Sequence, residues 1–244
     1  MIRVTVWNEF YHEQYHEEAM KVYPNGIHNT IADFLKCDDI TVRTVTLYNE
    51  NKELNENAGI TKELLDDTDV MIWWGHMKHR VVPDEAADLV MKAVQKGMGI
   101  IFLHSAHQSK PFCKLLGTSG CLSWREDGDM ERIWNVCPSH PITQGIGNYF
   151  ELAHVETYSE PFAIPTPEDT LFIGWYEGGE VFRSGCTFRR ENGKIFYFQP
   201  GHETFPIFYD ANVQTIIRNA VRWACPVIRL DALTCPHIKK IGTE

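Results

Sequence analysis

Two short, wholly apolar runs limit the folds open to this chain more than anything else in it. Val70–Trp74 reads Val-Met-Ile-Trp-Trp, and residues 100–103 read Ile-Ile-Phe-Leu. Neither run alternates, so neither offers a face to water, and each is expected as a strand buried on both sides. Between them, residues 83–96 carry apolar side chains at helical spacing. Pro83 suits the first turn of a helix, Asp84 and Glu85 complement its dipole, and Gly97 ends it. A strand, a helix and a strand in this order form a parallel crossover unit.

The alternation extends both ways. Residues 2–7 read as a strand, 26–35 as a helix with Ile27, Ile31, Phe34 and Leu35 on one face, and 40–47 as an alternating strand. A short helix starts at Thr61, its N-cap, and another spans 109–116 and closes at Gly117. Later strands fall at 171–175, 180–189 and 194–198, the last two joined by a turn at Glu191-Asn192-Gly193. A closing helix covers 213–223, and the tail beyond Cys225 is expected to wrap the surface. Residues 118–170 lack strong periodicity and read as a less regular insertion with a short strand at 132–136. The expected architecture is α/β: a flavodoxin-like three-layer (αβα) fold with a mostly parallel central sheet, forming one domain over 1–244. Right-handed crossovers bring every strand-to-helix loop to one edge of such a sheet, where ligands bind.

Composition excludes some functions. The formal net charge is −10 with no Lys/Arg-rich run, which disfavours nucleic acid. No apolar run is long enough to span a bilayer, and the N-terminus reads as a strand rather than a signal peptide. Seven scattered cysteines without a C-x-x-C pair are expected as reduced thiols, which suits a cytoplasmic protein. No glycine fingerprint or Walker sequence calls for a nucleotide cofactor.

Residues 99–108, Gly-Ile-Ile-Phe-Leu-His-Ser-Ala-His-Gln, resemble the nucleophile elbow of class I glutamine amidotransferases. His104 stands where that family has its cysteine. Residues 196–203, ending Gln199-Pro200-Gly201-His202-Glu203, resemble the strand that supplies the family's His and Glu, although here the two are adjacent. Without a thiolate at the elbow, glutamine hydrolysis is not expected. Over nearly its whole length the chain resembles the ThuA-like, or trehalose-utilisation, branch of that superfamily. The matching stretches include Val6-Trp7-Asn8-Glu9-Phe10, Ile72-Trp73-Trp74-Gly75-His76, Trp124-Arg125-Glu126 and Pro200-Gly201-His202-Glu203. The resemblance implies a role in sugar metabolism.

Histidines follow several of the expected strands. His76, His104 and His202 directly terminate buried runs, with Glu203 next to His202 and with Glu9 after the first strand. Such a set suits a divalent metal, zinc first, on His76, His104 and His202. It equally suits acid/base chemistry by His104, His202, Glu203 and Glu9. His28, Lys110, Trp124, Arg125 and Arg183 are expected to contact a small-molecule sugar, Trp124 by stacking. His79 and His107 are read as rim residues. His12 and His16, amid Glu13, Glu17 and Glu18, are read as one face of a solvated acidic helix. Two function classes remain open: a sugar-directed hydrolase, lyase or isomerase, and a non-catalytic sugar-binding or regulatory module. A homo-oligomer is compatible with either.

Overall fold

A computed structural model describes residues 1–242. Strand β1 (Ile2–Asn8) is followed by two short helices, α1 (His12–Tyr15) and α2 (Glu17–Val22), then α3 (Ile27–Leu35) and β2 (Ile40–Thr46). Next come α4 (Lys62–Asp66), β3 (Val70–Trp74), α5 (Asp84–Gln95), β4 (Gly99–Leu103) and α6 (Lys110–Leu116). Strands β5 (Ser123–Arg125), β6 (Glu131–Asn135), β7 (Tyr149–Leu152) and β8 (Thr157–Ser159) occupy the region of weak periodicity. Strands β9 (Asp169–Tyr176), β10 (Val181–Arg190) and β11 (Gly193–Phe198) and helix α7 (Ala211–Ala224) complete the order.

The strands β2-β1-β3-β4-β11 are parallel neighbours, which is the flavodoxin-like order, and β10, β9, β6 and β7 continue the same sheet antiparallel. The expected α/β fold with a central parallel sheet is therefore what the chain forms. Strands β3 and β4 are buried at every position, as their unbroken apolar runs require. Helices α3 and α7 are tied together where the Arg218 guanidinium donates to the Phe34 carbonyl at 3.0 Å, and α4, α5 and α6 pack side by side. Of the stretch at 118–170, only β5 and β8 leave the main sheet, pairing with each other. The tail after α7 lies over the α5 end, where Leu230 N–H bonds the Lys96 carbonyl at 2.8 Å.

Trp7 and Trp73 stack in the core with ring centroids 3.8 Å apart, and the Trp74 indole donates to the Gly201 carbonyl at 2.9 Å. Both Trp73 and Trp74 are fully buried, so these aromatic residues serve packing rather than ligand contact.

At the antiparallel end, the Glu131 carboxyl is wholly enclosed and accepts from the Ser184 hydroxyl at 2.8 Å. Gly174 makes room for it, since a Cβ there would lie 2.2 Å from Glu131 Oε1. Burial pushes Glu131 up to about 7, with the Ser184 and Tyr176 hydroxyls opposing. A carboxyl that holds its proton more tightly when folded loses stability as pH rises from the unfolded value toward the folded one. Stability should therefore fall between about pH 4.5 and 7 through this group, by about 3 kcal/mol at most. Glu131→Gln should flatten that fall, as read from urea midpoints at pH 5 and pH 8. Parallel pH profiles for the two proteins would refute it.

Candidate functional site

In a 2-1-3-4-5 sheet the chain leaves β1 in one direction toward β2 and in the other toward β3, and a crevice opens beyond the strand ends. The strands entering that edge carry Glu9 and His12 after β1, His76 after β3, His104 after β4, and His202 with Glu203 after β11. The structure brings these residues together. Ring centroids lie 5.5 Å apart for His76 and His104, 5.1 Å for His76 and His202, and 5.4 Å for His104 and His202. Glu156, just before β8, joins them, and the four residues place ligand atoms within 4.8 Å of one another.

His104 sits at φ 54, a left-handed conformation that a residue with a Cβ adopts at a cost on the order of 1–3 kcal/mol. This is the sharp elbow expected after a buried strand, and it presents an imidazole. His104 Nδ1 faces the Gln199 carbonyl at 3.1 Å, and because a carbonyl only accepts, Nδ1 carries the hydrogen. Nε2 is then a bare acceptor. It lies 3.0 Å from Glu156 Oε2, and neither atom has an aligned hydrogen-bond partner. Two buried acceptors this close repel unless a metal ion or a hydrogen lies between them. His202 Nε2 is likewise buried and without a hydrogen-bond partner, while Nδ1 accepts from the Thr204 N–H at 3.3 Å and lies 2.8 Å from the Thr204 hydroxyl.

Behind this group, both oxygens of Glu203 lie 2.8 Å from His76 Nδ1. Burial would lower the His76 pKa, but the Glu203 hydrogen bond and charge raise it to about 9. Glu203 itself is held well below the ordinary carboxylate range because His76 outweighs the effect of burial. Burial lowers His202, His12 and His79 to about 4, so their rings are neutral at pH 7, the form that binds metal, whereas His76 is protonated at that pH and must release a proton to bind one.

Glu9 is placed differently from its expected proton-carrying role. Its oxygens accept the backbone N–H groups of His76 at 3.0 Å, Met77 at 3.2 Å and Lys78 at 2.8 Å. It anchors the loop that carries His76 and has no open face toward the crevice. His12 and Glu13 are not a solvated face either. His12 is 2% exposed, and Glu13 accepts from Asn8 and from the Ile27 N–H that opens α3; His16, Glu17 and Glu18 face water.

A cleft of about 380 Å³ opens beside the cluster, lined by His76, His79, Ser105, Trp124, Glu126 and Glu156 among others. That volume lies within the range of small-molecule sites. Trp124 is 63% exposed, and its neighbour Glu126 lies 3.5 Å from His202 Nε2. His79 and His107 line the cleft as buried residues rather than rim residues. The other expected sugar contacts are not gathered here. Arg125 is bound by Asp127, Asp129 and Glu180, Arg183 by Glu160, and Lys110 pairs with Asp84 at 3.1 Å. Each cation is held by a nearby carboxylate. His28 lines a separate groove of about 740 Å³ beside β2, its Nδ1 accepting from Asn8 at 2.9 Å.

Sequence reasoning missed Glu156, Glu126 and His12. Glu156 and Glu126 lie in the stretch without periodicity, so no strand-end rule selects them. His12 could have been found from its place directly after β1.

The family model described as ThuA, trehalose utilisation, matches residues 3–224. A ThuA-like protein of Parabacteroides merdae is 14% identical, with a TM-score of 0.63 over 94% of this chain and 92% of that one. A ThuA-like protein of Bacteroides uniformis is 16% identical, with a TM-score of 0.64 over 91% of each chain. A glutamine amidotransferase of Thermotoga maritima is similar in fold, at 10% identity and a TM-score of 0.51, over 91% of this chain and 97% of that one. No curated protein matches in sequence.

Proposed function

Because this chain belongs to the ThuA, trehalose-utilisation family, we propose that it is a cytoplasmic, metal-assisted enzyme acting on a sugar or an oxidised disaccharide. The observation that carries this reading is the set of buried, unpartnered donors His104 Nε2, His202 Nε2 and Glu156 Oε2 beside His76. Three imidazoles and one carboxylate suit zinc best among common divalent ions. Donors on one tetrahedral zinc lie roughly 3.4 Å apart, so a set within 4.8 Å closes by under about 1 Å per residue. Bound there, zinc would act as a Lewis acid toward a carbonyl or hydroxyl oxygen.

The chain's own residues do the rest. Trp124 offers an exposed indole face to a sugar ring at the cleft mouth. Glu126 has its pKa raised by partial burial and by the charges of Glu156 and Glu203, which suits a group that exchanges a proton with a substrate hydroxyl. His104 and His202 serve as ligands rather than proton carriers in this reading. The elbow offers no thiol, and Cys113, on the next helix, gives its S–H to backbone carbonyls. Glutamine hydrolysis is not part of the proposal.

Elemental analysis of the purified protein, with isotope-resolved turnover of trehalose and oxidised disaccharides, tests the reading. One zinc per chain is expected, with product formation that a chelator stops and zinc restores. A chain that neither holds metal nor turns over these sugars with added zinc, manganese or iron would overturn it. Ligand-induced stabilisation without turnover would favour a sugar-binding module.

A further inference from the structure

A second group of donors lies behind the first: His12, His76 and Glu203 also place ligand atoms within 4.8 Å of one another. Two physical readings compete for it. The group could take a second ion, or it could be an outer shell that orients a ligand of the first. This question rests on the metal centre proposed above.

The geometry separates them. Glu203 directs both oxygens at His76 Nδ1, at 2.8 Å each, so a shared hydrogen occupies the nitrogen that a second ion would need. That leaves His12 Nδ1, 3.7 Å from Glu203 and 3.8 Å from Glu9, as the remaining nitrogen donor. One free imidazole does not hold an ion. Charge argues the same way. The ion pairs that Glu9, Glu156 and Glu203 form are with histidines, none with Lys or Arg among the described residues. One divalent ion balances Glu156 and Glu203, with Glu9 spread over three backbone N–H groups. A second ion would leave buried positive charge uncompensated.

We infer that Glu203 is a positioning residue that takes the Nδ1–H of His76 and so presents Nε2 as the metal-binding nitrogen. Carboxylates in this relation to a metal-bound imidazole fix its tautomer and raise its basicity. His12, at the start of α1, meets the Met77 sulfur through Nε2 at 3.0 Å, while its Nδ1 stays 3.7 Å from Glu203 without a hydrogen bond.

Zinc affinity by competition with a chromophoric chelator tests this on wild type, Glu203→Gln, Glu203→Asp and His12→Gln. Nitrogen-detected NMR of the His76 tautomer in the zinc-loaded wild type adds a readout that does not depend on a variant folding. One zinc per wild-type chain is expected, bound about 10–100-fold more weakly by Glu203→Gln. Glu203→Asp should recover part of the loss, His12→Gln should lose only a few-fold, and Nδ1 of His76 should carry hydrogen. Two zinc ions per wild-type chain falling to one in His12→Gln would overturn the inference, as would a metallated Nδ1 or an unchanged affinity in Glu203→Gln. No zinc on the wild-type chain would overturn the metal centre and the inference together, whereas the other failures leave the centre standing.

Discussion

His104→Ala should empty the proposed centre: zinc per chain should fall from about one to below a tenth after dialysis, and turnover should fall with it. The expected size follows from the ligand count. A four-ligand structural zinc is worth about 10–16 kcal/mol, so one ligand accounts for on the order of 3 kcal/mol, or more than 100-fold in affinity. The fold should survive the change. The variant keeps the strained φ of the elbow, removes the 3.0 Å contact between two buried acceptors, and leaves the Gln199 carbonyl without its donor. These effects oppose one another, so the melting temperature should move little compared with the loss of metal. A His104→Ala protein that keeps a full equivalent of zinc would show that the elbow is not part of the centre.

Glu9→Ala should be the most destabilising single change at this edge of the sheet. It would remove the acceptor of three backbone N–H groups at His76, Met77 and Lys78 in one step. A buried donor left without a partner costs about 1–3 kcal/mol. The loop is half-exposed, so water recovers part of this and the low end applies: about 3 kcal/mol in all, or roughly 10 °C in melting temperature for a chain of this size. Glu9→Gln keeps one acceptor oxygen and should lose less. Hydrogen exchange should quicken at residues 76–78 while β3 and β4 stay protected. A loss under about 1 kcal/mol would show that the loop holds itself.

The two variants mark where sequence reasoning stops. His104 was legible because it ends a buried run, and the strand-to-helix rule sends such residues to the ligand-binding edge. Glu9 met the same rule and was expected to move protons. Whether a carboxylate at that edge faces the crevice or turns back onto the next loop depends on which strand lies beside it. Here β3 is the neighbour, and its following loop presents three N–H groups. Arg125, Arg183 and Lys110 show the converse. Their residue types fit a sugar site, but carboxylates brought close by folding, such as Glu160 and Glu180, hold the two arginines.

Local pattern by itself determined the parallel strands β1 to β4 and β11 and most of the helices between them. An unbroken apolar run cannot be solvated, a helical repeat needs one dry face, and the handedness of crossovers then fixes which edge collects the loops. Only the tertiary structure decided the chemistry at that edge. The hydrogen on His76 is set by a carboxylate 127 positions away in the chain, and the bare nitrogen of His104 is matched by Glu156 from an aperiodic stretch. Hydrogen bonds and ion contacts act over about 3 Å in space, and separation along the chain does not measure that distance.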